Sequence, residues 1–109
     1  MERSDNLKVI NTGFLQKRSK LLKFWNSRFC ILTETYFYTY KGIENNSECT
    51  NVIALSAIID IKNSENEYKN SFLIKTNDNI SYYFIANDDN ERNEWINKIN
   101  ETKNQFNNI

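Results

Sequence analysis

The chain of 109 residues has no histidine, no proline, only two glycines and only two cysteines. Each shortage removes a class of explanation. Histidine is the commonest general base and the commonest nitrogen ligand for metals, so its absence argues against both roles. Cys30 lies in an apolar run and Cys49 in a polar stretch. Two thiols alone build neither a disulfide framework nor a zinc site, and they read as reduced thiols of a cytosolic protein. There is no nucleophile motif and no glycine-rich phosphate loop. The adjacent acids Asp88 and Asp89 sit where a helix start explains them. No enzyme, cofactor or metal is therefore expected. No apolar run approaches the ~20 residues that span a bilayer. The opening residues Met1 to Asp5 are polar and of mixed charge, unlike a secretory or transit peptide, and Glu2 stands where N-myristoylation requires glycine. With so little glycine and no proline, turns must rely on Asn, Asp and Ser, and Asn alone supplies 19 residues.

Hydrophobic residues make up 39% of the chain and aromatics 14%, enough for one core. The expectation is a single domain over 1–109, with its core at about 10–104 and flexible ends at 1–9 and 105–109. The net charge is zero but unevenly spread. Residues 1–43 carry eight basic and three acidic side chains, and the remainder six and eleven. Between Asn6 and Thr33 six cations occur with no acid: Lys8, Lys17, Arg18, Lys20, Lys23 and Arg28. Such a molecule turns one face toward anions. Nucleic acid fits poorly, because the chain is neutral and its basic patch is confined to one hairpin.

Seven short β-prone runs come first: 12–17, 25–32, 36–40, 51–55, 57–61, 71–76 and 81–86. Asn77-Asp78-Asn79 is a hairpin turn between the last two. Asp88 and Glu91 then have the spacing of a helix cap with an acid at the third helical position. Trp95, Ile96 and Ile99 recur at helical spacing, with Phe106 extending the stripe, which predicts a helix over about 89–103. Its single apolar stripe must pack on the sheet. The pattern is α+β and mainly β: a curved antiparallel sheet closed at one end by a terminal helix.

The order of elements and several motifs resemble the pleckstrin-homology (PH) family. Gly13-Phe14-Leu15-Gln16-Lys17 is similar to the family's first strand, and Trp25-Asn26-Ser27-Arg28-Phe29-Cys30-Ile31-Leu32-Thr33 to its second. Phe37-Tyr38-Thr39-Tyr40-Lys41 is similar to the third. Tyr83-Phe84-Ile85-Ala86, followed by Glu91-Arg92 and Trp95-Ile96-x-x-Ile99, resembles the family's last strand and helix, with Trp one place later than usual relative to the Glu-Arg pair. The resemblance implies a seven-stranded, partly open barrel capped by a C-terminal helix. It also implies a membrane-docking module for acidic phospholipid headgroups, phosphatidic acid or a phosphoinositide.

Side chains two apart on a strand share a face. Leu15 is the core residue of the first strand, so Lys17 points the same way nearer its end. Cys30 and Leu32 point inward on the second strand, which places Arg28 and Asn26 on that face too. Lys17 and Arg28 should converge at the open rim, where they repel unless an anion sits between them. Arg18, Lys20 and Lys23 complete the expected headgroup site with Asn26. Leu21 and Leu22, flanked by cations at the hairpin tip, are expected to insert into a membrane. Asn26 stands where strongly phosphoinositide-specific members carry a cation, and Thr39 where they often carry tyrosine. These departures favour a small headgroup such as phosphatidic acid. The barrel-and-helix scaffold also serves peptide-binding domains, whose ligand lies along the fifth strand, here 58–63, so a protein partner is the alternative. The expected molecule is a monomer, peripheral on the cytosolic face of a membrane.

Overall fold

The computed structural model describes residues 8–21 and 23–107, with side chains described as far as residue 105. Strand β1 spans Val9–Arg18, β2 Trp25–Thr33, β3 Tyr36–Tyr40, β4 Cys49–Ala54, β5 Ile58–Asn63, β6 Ser71–Thr76 and β7 Ser81–Ile85, and helix α1 spans Asp89–Asn107. The strands form one antiparallel sheet in the order β4-β3-β2-β1-β7-β6-β5. Strand β1 is the hinge of the barrel. It pairs with β2 along its length and with β7 only through Gln16↔Ile85 and Lys17↔Phe84, at the end nearest the first hairpin. Lys17 therefore lies where the two halves of the sheet meet.

The β2 and β3 sequences are aromatic and β-branched, residue types that fit a half-buried pleated surface. Their inward residues Cys30, Leu32 and Phe37 join Leu15, Ile53, Phe72, Ile74 and Phe84 in the main core. Helix α1 closes it with Trp95 and Ile99. Trp95 is 1% exposed, and its ring meets Phe37 edge-on at 5.7 Å between centroids. Gly13 lets β1 pass under that indole, since a Cβ there would lie 3.5 Å from it. On the outer side, Phe29, Ile31 and Tyr40 make a smaller cluster.

The helix starts as its capping residues require. The Glu91 amide donates to Asp88 Oδ1 at 2.8 Å, and the Asn87 amide donates to Glu91 Oε1 at 2.9 Å. Its end runs to Asn107, four residues beyond the expected stop, and β1 begins at Val9. The physical reason is the lack of a stop signal: no glycine or proline follows Lys103. The apolar run 51–55 ends differently from expectation. Leu55 leaves the strand in a short 3-10 turn, Leu55–Ala57, and drops into the core. That turn carries the chain from the β4 edge to the β5 edge. Asn supplies backbone freedom in place of glycine: Asn70 and Asn79 adopt φ values of 60° and 67°.

Burial pushes the Cys30 thiol up to about 12, and it also raises that of half-buried Cys49. Because the thiolate is the reactive form, Cys30 is inert in the folded chain. An alkylating reagent at neutral pH should label Cys49 first and Cys30 only on global unfolding, as mass spectrometry of a labelling time course would show. Equal labelling of both thiols in the native protein would contradict this packing.

Candidate functional site

The first hairpin carries the site. The β1–β2 register pairs Lys17 with Asn26 and Leu15 with Arg28. All four share the inner face, and Leu15 marks it as the core side. Lys17 lies past the last core layer, at the open end, with its ammonium 5.7 Å from the centre of the Tyr82 ring. Burial holds its pKa below the usual lysine value, and Arg28 and Lys20 push it in the same direction. Among the described residues none of Lys17, Arg18, Lys20, Lys23 and Arg28 forms an ion pair. The nearest bonds are weak substitutes. Lys17 Nζ donates to the Arg18 carbonyl at 3.5 Å, and Arg28 Nη1 donates to the Ser27 carbonyl at 2.9 Å.

A cleft of about 140 Å³ opens at this end, lined by Lys17, Arg18, Ser19, Lys20, Asn51, Ser81 and Tyr82. Its cations come from the first hairpin, Asn51 from β4, and Ser81 and Tyr82 from β7. Neutral hydrogen-bonding groups thus face the ammonium groups, a suitable surround for a phosphate group.

The expected site residues do not all arrive there. Lys17 and Lys20 line the cleft, whereas Arg28 and Asn26 share the inner face without forming its wall. Arg18 borders the cleft, but its guanidinium turns to the outer face. It lies 4.9 Å from the centre of the Tyr83 ring, and Nη1 donates to Tyr68 Oη at 3.2 Å. Strand alternation explains this: Arg18 follows inward Lys17 and pairs with outward Trp25, which packs edge-on against Tyr68. Lys23 is exposed in the loop with φ 57°. The loop is tied shut by the Ser19 amide donating to the Phe24 carbonyl at 2.6 Å and the Phe24 amide donating to Ser19 Oγ at 3.1 Å. Leu21 is 91% exposed and Phe24 63% exposed; Leu22 lies outside the described residues. Thr39 is fully buried, with its hydroxyl 2.6 Å from that of Thr50 and 3.4 Å from Asn51 Oδ1. It therefore offers a ligand nothing directly and steadies Asn51 instead.

Sequence reasoning missed Asn51, Ser81, Tyr82 and Phe24. Tyr82 was legible in principle, because it lies two residues from inward Phe84 and shares its face. Asn51 and Ser81 carried no signal, since their place depends on which strand ends meet at the rim.

The fold is thus a seven-stranded open barrel with a terminal helix, and its rim carries basic side chains that form no ion pair among the described residues. The chain belongs to the PH domain family, whose model matches residues 9–104. Members of that family are generally binding modules. The chain is 29% identical over 104 residues to Src kinase-associated phosphoprotein 2-A of Xenopus laevis, covering 88% of this chain and 31% of that protein. It is 27% identical over 78 residues to the phosphatidylinositol 4,5-bisphosphate-binding protein SLM2 of Saccharomyces cerevisiae, covering 64% of this chain and 12% of that one. It thus spans less than a third of the length of either curated relative. The C-terminal PH domain of pleckstrin, crystallised with D-myo-Ins(1,2,3,4,5)P5, superposes with a TM-score of 0.73 at 29% identity, covering 87% of this chain and 98% of that one.

Proposed function

We propose that the chain docks on acidic phospholipid headgroups at the cytosolic face of a membrane, acting as a peripheral monomer. The observation that carries this reading is half-buried Lys17, set beside Arg28 and Lys20 with no carboxylate partner among the described residues. Three like charges at one rim repel, and an anion among them converts that repulsion into attraction. Lys17 and Lys20 act as point charges, Arg28 offers a planar fork, and Asn51, Ser81 and Tyr82 supply neutral hydrogen bonds. Similarity to a domain crystallised with an inositol phosphate and to a protein named for binding a phosphoinositide supports the ligand class.

Phosphatidic acid fits this site better than a polyphosphorylated inositol. Asn26 adds no charge, Thr39 is buried away from the cleft, and Arg18 is engaged on the outer face. The cations that remain suit one phosphate group. Beside them, Leu21 and Phe24 stand exposed at the hairpin tip and would enter the headgroup boundary while Lys20 and Lys23 hold anionic lipids, each worth ~1 kcal/mol. Burying one leucine stabilises by about 1.5–3 kcal/mol, so Leu21→Ala should weaken vesicle binding roughly tenfold with no loss of thermal stability. Unchanged partitioning of that variant would remove the insertion step.

The test of the reading is sedimentation with neutral and with phosphatidic-acid vesicles across a salt series. Binding should require the acidic lipid and weaken steeply as the screening length shortens from about 10 Å at 0.1 M salt to about 3 Å at 1 M. Binding to neutral vesicles, or binding indifferent to salt, would rule the basic rim out.

A further inference from the structure

The cleft has a second lip, and that lip carries a carboxylate, Asp78. Lys75 pairs with Ser81, and Ser81 lines the cleft, so the turn from Thr76 to Ile80 stands directly beside it. The turn is firmly built. The Thr76 amide donates to the Ile80 carbonyl at 2.9 Å, the Asn79 amide donates to the Thr76 carbonyl at 2.9 Å, and Asn79 adopts φ 67°. At its tip exposed Asp78 accepts a hydrogen bond from the Thr76 hydroxyl, which fixes the carboxylate in place.

Two groups of the cleft wall feel that charge. Asp78 helps to raise the Tyr82 hydroxyl pKa, second to burial. Lys20, across the cleft, adds to the Thr76 bond in holding the Asp78 carboxyl below its ordinary value. The exposed carboxylate is therefore held ionised beside the cleft, and among the described residues it forms no ion pair.

We propose that Asp78 is a specificity-determining residue that favours headgroups carrying one phosphate group over headgroups carrying several. The inference rests on the headgroup reading above and adds the residue that sets its selectivity. A phosphate seated at Lys17 meets Lys20 and Arg28 on the hairpin side. A further phosphate extending toward the β6–β7 turn meets a fixed negative charge. The repulsion grows with the charge brought to that lip, so it falls mainly on polyphosphorylated headgroups.

Vesicle binding of the wild type, Asp78→Asn, Asp78→Glu and Lys17→Ala tests this, with phosphatidylcholine vesicles containing either phosphatidic acid or phosphatidylinositol 4,5-bisphosphate at equal molar fraction. Asparagine is a natural turn residue and keeps the oxygen that accepts from Thr76, so Asp78→Asn removes charge alone. It should gain about two- to fivefold affinity for the bisphosphate, the range of an exposed charge pair, and less than about twofold for phosphatidic acid. Asp78→Glu should behave as the wild type. Equal gains on both lipids, no gain, or a loss on both would overturn the inference while leaving the headgroup site intact, provided Lys17→Ala still weakens binding about tenfold. A wild type that binds neither lipid would overturn the headgroup reading and the inference with it.

Discussion

A Trp95→Ala chain should lose about 3–5 kcal/mol of folding stability. Trp95 is the largest fully buried side chain among the described residues, and with Ile99 it closes the core from the helix. Its ring lies against Phe37 and over the bare backbone of Gly13. Alanine would leave a void that neither neighbour can fill: Phe37 is held by Phe84 at 5.4 Å, and Gly13 has no side chain to move. A domain of this size has about 5–15 kcal/mol of stability in total, so the variant should unfold at markedly lower urea and expose Cys30 to alkylation at once. A loss below about 1 kcal/mol would mean that the helix is not the lid of this core.

Replacing Lys17 and Arg28 together by alanine should cost at least about a hundredfold in binding to acidic vesicles, taking about 1.5 kcal/mol, the lower end of the usual range, for each lost charge-assisted hydrogen bond. The same change should not destabilise the free protein through electrostatics. Burial and the neighbouring cations disfavour the charged form of Lys17, so its folded pKa lies below the unfolded one. For a lysine shifted this way, the charged form costs stability below the folded pKa, and that cost fades as pH rises toward the unfolded value. Lys17→Met, which keeps the apolar stem, should therefore leave stability at neutral pH equal or slightly higher while weakening binding. Phosphate ions should raise the melting temperature of the wild type and not that of Lys17→Met. A marked loss of stability in Lys17→Met would show that Lys17 has a structural partner, and the anion site would then lose its main support.

Much of this fold could be read in the chain. Alternation about Leu15 and Cys30 placed Lys17, Asn26 and Arg28 on the inner face, and the register agrees. Asp88 and Glu91 marked the helix start because capping is a local interaction. What could not be read depends on contacts between distant segments. The pairing of Lys17 with Phe84 brings Tyr82 beside the ammonium, and no pattern along the chain records that pairing. Arg18 lines the cleft, but its guanidinium turns to the opposite face, where it lies over Tyr68 and Tyr83. Asp78 read as a turn residue only, because its electrostatic coupling to Lys20 joins segments far apart in the chain.

The central claim is that the rim around Lys17 is a headgroup site. Its most direct test is sedimentation of the wild type with vesicles containing phosphatidic acid, phosphatidylserine or a phosphoinositide at equal total charge. The protein should select a lipid with an exposed phosphate group, phosphatidic acid above all, over phosphatidylserine. Binding to none of the three would contradict it and turn the search to peptide partners along the β5 edge at residues 58–63.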